Sequence, residues 1–383
     1  MMTTRIPASL VALGALIASA SCIDLDSKGE IKDLRILALR LDPPEILYSP
    51  ILVLPASQRP PVELPPAILD ASLLAVDPRS SEPLPFTYHV CPVDDFELCI
   101  NYKVPDEFEN ERDPEQLKAS LRRLVNRRAS LLAPIDNSGG IAGPLGRLNF
   151  DLRATEYILP HLPDGTTIAV FQQFARLYVR GENQGIAETA YRRIPLNLDL
   201  RIFAQLPETA QQFSDFLGVT ICNAAQSQAH DPSCLQIREP NRNPVIEEFR
   251  FSRGVEIPTY DDNGDDTREV GEVVTGPVPV APGADIFLWP VLARGDTEPY
   301  QVFEVDIQAK KIKLTNYVEE MAVSWYATRD EPAITLSVIS FERSLGTTYT
   351  YPSTNPPDQV RLYAVVRDQR GGVAWGSVEL VRD

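Results

Sequence analysis

The sequence predicts a mainly-β protein built as two β-sandwich domains in tandem. Three observations carry that reading. Short runs of alternating apolar and polar residues, bounded by turn residues, recur along most of the 383 residues. Prolines number 34 against 20 glycines, a balance that favours short strands and rigid connections over long helices. A strand–turn–strand pattern near residue 180 also returns near residue 368. Hydrophobic residues make up 44% of the chain, enough for packed cores.

The first domain is expected over 34–200. It opens on "LRILALRLDPPEI" (34–46), a strand that meets a Pro-Pro stop, followed by "AILDASLLAVDP" (67–78) and "LPFTYHVCPV" (84–93). A helical insertion is predicted near 105–132. In "DPEQLKASLRRLVNRRASLL", Asp113 is placed to cap, Pro114 to start the helix and Gln116 to complete a capping box. Leu117, Leu121, Leu124 and Leu131 or Leu132 fall on one face; Lys118, Arg122, Arg123, Arg127 and Arg128 fall on the other. The basic face is read as a solvated surface rather than a contact patch. Strands resume at "RLNFDLRA" (147–154) and in 166–198, where a turn around Gly181–Gly185 joins two strands.

Residues 201–240 read as a connector. "PETAQQFSDFLG" (207–218) predicts a short helix with Phe213, Phe216 and Leu217 inward and Gly218 as its stop. A Cys222–Cys234 loop and the boundary "EPNRNP" (239–244) follow. The second sandwich spans 241–383. Its strands are "ADIFLWPVLA", "YQVFEVDI", "MAVSWYATRD", "ITLSVISFE" and the closing hairpin "QVRLYAVVRDQRGGVAWGSVELV", which turns at Gln369–Gly372.

The two halves correspond in two places. "RLYVRGENQGIA" (176–187) matches "RLYAVVRDQRGGVA" (361–374), and "TYHVC" (87–91) matches "SWYAT" (324–328). A shared central strand with a core-facing aromatic (Tyr88, Trp325) and a shared final hairpin are what two immunoglobulin-like sandwiches would give.

The amino terminus carries its own signal. One arginine, the apolar stretch "IPASLVALGALIASA" and small residues make residues 1–21 read as a bacterial secretory signal peptide. Ala18-Ser19-Ala20 suits the general signal peptidase, whereas Ser19-Ala20-Ser21-Cys22 resembles a lipobox, with Ser19 where leucine is usual. The other four cysteines fall into local pairs, Cys91 with Cys99 and Cys222 with Cys234, expected as disulfides worth about 2–3 kcal/mol each. Cys22 is left over at the position a lipid would occupy, so it is the expected lipidation site, followed by a polar tether over 22–33. Signal peptidase cleavage without acylation, giving a periplasmic or secreted soluble protein, is the alternative.

Acidic residues outnumber basic ones 53 to 36, a formal charge of −17. That balance excludes nucleic acid as a partner and leaves membrane attachment to the lipid rather than to charge. His89, His161 and His230 have no partner at ligand spacing. No nucleophile elbow, HExxH or phosphate loop is present, so no catalytic residue is assigned and the chain is expected to be non-enzymatic. In "YDDNGDDTREVGE" (260–272), Asp261, Asn263 and Asp265 offer oxygens of the kind calcium takes. The spacing misses the EF-hand pattern, and an acidic Asn-Gly turn at a hairpin tip is the preferred reading; no cofactor is otherwise expected. Trp289, Trp325 and Trp375 are read as core rather than as a sugar-stacking platform.

With "LALRLDPPEI" near the start and "VVRDxRGGxxW" from Val365 to Trp375, the sequence resembles lipoproteins of myxobacterial type. The resemblance implies immunoglobulin-like or PKD-like domains and a cell-envelope address, and implies no activity. The expected function is thus a non-catalytic binding or structural role at the envelope, in the outer membrane, with envelope proteins or glycans as partners. A surface adhesin or carbohydrate-binding module, and a hydrolase with an unfamiliar carboxylate site, are the alternatives.

Overall fold

A computed structural model describes residues 29–48, 67–79, 84–91, 129–133, 144–150, 173–204, 207–237, 239–253, 270–293, 295–306, 311–329 and 345–383. The N-terminal half contributes eight strands among these: β1 (Arg35–Asp42), β2 (Ile46–Tyr48), β3 (Ala67–Val76), β4 (Leu84–Cys91), β5 (Ala129–Ala133), β6 (Pro144–Phe150), β7 (Gln173–Asn183) and β8 (Ile186–Leu198). They form two sheets, ordered β1-β3-β6 and β2-β8-β7-β4-β5. Every pairing is antiparallel except that of β2 with β8.

The C-terminal half runs β9 (Ile246–Arg253), β10 (Glu272–Val273), β11 (Val278–Val280), β12 (Asp285–Leu292), β13 (Pro299–Asp306), β14 (Lys311–Val318), β15 (Ala322–Ala327), β16 (Thr347–Thr350), β17 (Gln359–Arg367) and β18 (Val373–Arg382). Its sheets are ordered β10-β9-β12-β16 and β11-β18-β17-β15, with β13-β14 as a separate ribbon. Here too one short strand, β11, lies parallel to the last strand.

The halves repeat one topology. β1-β3-β6 matches β9-β12-β16, and β2-β8-β7-β4 matches β11-β18-β17-β15. The stretches with shared sequence occupy equivalent places: Tyr88 in β4 pairs with Val179 of β7, and Trp325 in β15 pairs with Ala364 of β17. In the β7–β8 hairpin Gln184 and Gly185 both have positive φ, as a two-residue turn of this hand demands.

Alternation explains most of the packing. In the C-terminal half, Phe251, Ile286, Leu288 and Tyr349 of one sheet meet Val278, Val360, Leu362, Val378 and Leu380 of the other in one buried cluster. The run of buried residues in β17 breaks the alternation, because both faces of that strand are covered. Val360 and Leu362 face the sandwich, while Tyr363 and Val365 face a second cluster with Ile31, Leu37, Ala38, Leu74 and Val76 from the N-terminal half. The two halves therefore share an apolar core. β12 is likewise buried on both sides, with Phe287 and Trp289 stacked 5.3 Å apart on its far face.

Strand β1 is the seam. One edge pairs with β3. Backbone carbonyls of alternate residues point to the other edge, where no strand adjoins among the described residues, and side chains take its place. Arg367 Nη2 donates to the Leu37 carbonyl at 3.0 Å, Arg192 Nη1 to Leu39 at 2.7 Å and Asn243 Nδ2 to Leu41 at 2.7 Å. These donors come from β17, β8 and the segment just before β9, so the strand is tied to three parts of the chain at once. Burial lowers the pKa of Arg192 to about 10, which leaves it charged at neutral pH.

Two boundaries differ from the sequence reading. The helical insertion expected near 105–132 gives way at its end to strand β5, where Leu131 and Leu132 pair with Phe86 and Pro85. The remainder of that insertion lies outside the described residues. Helical spacing over "ASLLA" competed with an open ladder edge on β4, and tertiary pairing prevailed. The tether expected over 22–33 is already held from Gly29 on. Ala327 N donates to the Gly29 carbonyl at 2.8 Å, Ile31 N donates to the Ala327 carbonyl at 2.7 Å, and Ile31 and Leu34 are buried. The connector contains the expected helix, Pro207–Leu217, which stops at Gly218 with φ +66°.

Candidate functional site

Two turns that lie at opposite ends of the sequence meet between the halves. The first, Asp42-Pro43-Pro44-Glu45, leaves β1. The second, Asp368-Gln369-Arg370-Gly371-Gly372, joins β17 to β18. Local chemistry shapes the second turn: one carboxylate oxygen of Asp368 accepts from the amides of Arg370 at 2.8 Å and Gly372 at 2.6 Å. Gly371 has φ +105°, which favours glycine. Gly372 is needed for space, since a Cβ there would lie 2.7 Å from the Arg242 carbonyl and collide with the Asp368 carboxylate.

So shaped, the turn aims Arg370 into the junction. Its Nη2 lies 3.3 Å from Glu45 Oε1, and its Nη1 lies 3.0 Å from Glu319 Oε1 and 3.3 Å from Glu298 Oε2. Side-chain exposure is 8% for Arg370, 0% for Glu45, 1% for Glu319 and 23% for Glu298. The guanidinium also sits 5.6 Å from the ring centre of Tyr300. Each carboxylate has further partners. Glu45 accepts from the Asn241 amide at 2.6 Å and from Asn197 Nδ2 at 2.5 Å. Glu319 accepts from the Glu298 amide at 3.1 Å. Asn241 Nδ2 donates to Asp368 at 3.2 Å, and Asn243 accepts from the Val373 amide at 2.9 Å. Tyr300 donates to Gln369, which donates to Glu320.

Glu45, Glu298 and Glu319 surround the buried Arg370 guanidinium, with Arg242 at the exposed rim, 3.8 Å from Glu298, while the Asp368 charge acts on the buried Arg192. Burial pushes the Glu319 carboxyl up to about 7, the Asp368 and Glu298 charges push the same way, and Arg370 opposes them. Burial raises the Tyr300 hydroxyl as well, with the Glu319 charge adding to it. Chemically, the arrangement is a network of charge-assisted hydrogen bonds that joins the turn after β1, β8, the segment before β9, β13, the link after β14 and the β17–β18 turn.

The sequence-predicted residues are placed elsewhere. Cys222 and Cys234 form a disulfide in the connector, with Cα atoms 5.1 Å apart. Cys91 ends β4 opposite Arg176. Cys22, Cys99 and the calcium candidates Asp261, Asn263 and Asp265 lie outside the described residues. Among the described residues, no group of three or more His, Cys, Asp or Glu is placed to hold a metal ion. The three tryptophans serve three different clusters: Trp289 the far face of β12, Trp325 the C-terminal sandwich core and Trp375 the shared core. No helix among the described residues is long and apolar enough to cross a membrane.

Sequence reasoning singled out both turns but did not connect them. Glu45 and Arg370 are separated by 325 positions, and no spacing rule operates over such a distance. Glu298 and Glu319 were hidden among 53 acidic residues.

No family model and no curated protein matches the chain. Among solved structures, dimeric latent PorU from Porphyromonas gingivalis aligns with 92% of this chain and 24% of its own, at 7% identity and a TM-score of 0.18. A Salmonella alpha-2-macroglobulin mutant aligns with 91% of this chain and 16% of its own, at 9% identity and a TM-score of 0.17. The chain thus spans a quarter or less of either protein. Likenesses at this level carry no argument about what it does.

Proposed function

We propose that the chain is an exported, lipid-anchored protein of the cell envelope, in which two immunoglobulin-like sandwiches serve a non-catalytic binding or structural role. The observation that carries this reading is the Cys222–Cys234 disulfide. A structural disulfide belongs to an oxidising compartment, in keeping with the signal-like leader. With that pair consumed, and Cys91 and Cys99 forming a second local pair, Cys22 is the remaining thiol and stands in a lipobox-like sequence. The repeated strand order, the parallel pairing of a short early strand with the last strand, and a core-facing aromatic at Trp325 support the immunoglobulin-like form. The acidic balance supports attachment through lipid rather than through charge.

Fractionation of cells that make the full-length chain tests the anchor. The wild-type protein stays in the membrane fraction through high-salt washing, and Cys22→Ser moves it to the soluble fraction. Wild-type protein that washes off with salt, or a Cys22→Ser protein that still stays with the membrane, contradicts the reading.

A further inference from the structure

We infer that the short link from Cys22 to Gly29 turns one end of the molecule toward the lipid surface, the end at which Gly29 enters the fold, and leaves the Arg370 junction at the end turned away. The inference rests on the proposed acylation of Cys22 and adds to it the face of the protein that meets the bilayer. The chain enters the fold beside β15. Ala327 N donates to the Gly29 carbonyl at 2.8 Å, and Ile31 N donates to the Ala327 carbonyl at 2.7 Å. Gly29, Ile31 and Leu34 are buried, and Ile31 packs with Tyr326 and Tyr363 in the shared core. The chain is thus fixed to the C-terminal half before β1 begins. Seven steps along the chain separate position 22 from position 29, a span of at most about 25 Å. A link that entered the fold only at Arg35 would reach about 45 Å. Docking at Ala327 therefore nearly halves the distance at which the body can stand from its lipid.

Strand directions sort the turns into two ends. Ala327 opposes Leu362, near the start of β17. Arg35, at the start of β1, holds its guanidinium 5.9 Å from the ring centre of Tyr326 and pairs with Val76 at the end of β3. The next residue, Asp77, accepts from Asn183 Nδ2 at 2.7 Å, which brings the tip of the β7–β8 hairpin to this same end. Both β1 and β17 run away from it. β1 reaches Asp42 about 23 Å further on, and the turn after it carries Glu45. β17 leads to the turn that carries Arg370, where Glu45, Glu298, Glu319 and Tyr300 converge. Val318, 62% exposed and opposite Pro299, therefore belongs to the far end.

Charge agrees with this placement. The chain as a whole is acidic, so anionic headgroups repel the body and favour its standing off from the lipid. At the near end Lys32 pairs with Glu30, Arg79 with Asp77, Arg180 with Glu182 and Arg382 with Asp358. These matched charges face headgroups without the repulsion that unmatched carboxylates would bring. The apolar core shared by the two halves makes them turn together, so fixing one end of β15 near the bilayer orients both.

Resonance energy transfer to the lipid surface reads the order of the two ends. Acylated full-length protein, its lipid verified by intact mass, is placed in phosphatidylcholine–phosphatidylglycerol vesicles whose headgroups carry an acceptor. A fluorescent amino acid replaces either Ala187, exposed beside the β7–β8 turn, or Val318. Transfer from position 187 is expected to be about two-fold more efficient than from position 318, given the separation of about 23 Å along β1. Inserting about fourteen Gly and Ser residues between Asp26 and Ser27 lengthens the link and should abolish the difference. Equal or reversed transfer in the acylated protein, or a difference that survives the insertion, overturns the inference and leaves the anchor standing. A mature chain without acyl mass overturns both.

Discussion

Replacing Arg370 by methionine removes the guanidinium while keeping an apolar stem against Tyr300. Glu45, with no exposed side-chain surface, then retains its bonds from Asn241 and Asn197 but loses its cation. Glu319, at 1% exposure, loses its cation too. Breaking a buried pair by deleting one partner costs about 3–5 kcal/mol, because a desolvated charge is left behind. At pH 6 Glu319 is already largely protonated, so the loss falls at the lower end of that range; at pH 8 it falls at the upper end. Denaturant unfolding of wild type, Arg370→Met, Glu45→Gln and the double variant closes a cycle that isolates the Glu45–Arg370 coupling. The buried geometry predicts a coupling of about 2 kcal/mol or more. A coupling below about 1 kcal/mol, the value of an exposed ion pair, would refute the reasoning.

Other perturbations probe neighbouring parts. Gly372→Ala drives a Cβ against Asp368 and the Arg242 carbonyl, and should lower stability by about 2 kcal/mol in the same unfolding assay. Asn243→Ala strands the Leu41 carbonyl and the Val373 amide, both in buried bonds, and should cost about 1–3 kcal/mol with faster exchange at Val373. Cys222→Ser with Cys234→Ser opens a loop of 12-residue separation and should cost about 2–3 kcal/mol against oxidised wild type. Adding reductant should abolish that difference.

Local rules reached far into this fold. Period-two alternation located β1, short apolar runs bounded by turn residues located β3, β4, β12 and the β17–β18 hairpin, and turn chemistry located Gly218 and placed the first hairpin's turn around Gly181–Gly185, where the two turn residues are Gln184 and Gly185. Sequence similarity between the hairpins pointed to a duplication that the strand orders repeat. What escaped was tertiary. Nothing in "GEIKDL" marks Ile31 as a residue buried against Tyr326 and Tyr363, since a single apolar side chain in a polar run has no period. The continuous apolar character of β17 was visible, yet only the second half of the molecule explains why both of its faces are dry. The edge of β1 is sealed by Arg192, Asn243 and Arg367, residues whose sequence signature is that of ordinary surface positions. Glu45 and Arg370 lay in the two stretches that looked distinctive, but pairing them required coordinates.

The functional account stands on Cys22, and intact mass spectrometry of the mature protein from its membrane fraction tests it most directly. A chain that begins at Cys22 and carries added acyl mass is the predicted result. A chain that begins at Ser21 with no added mass would contradict it.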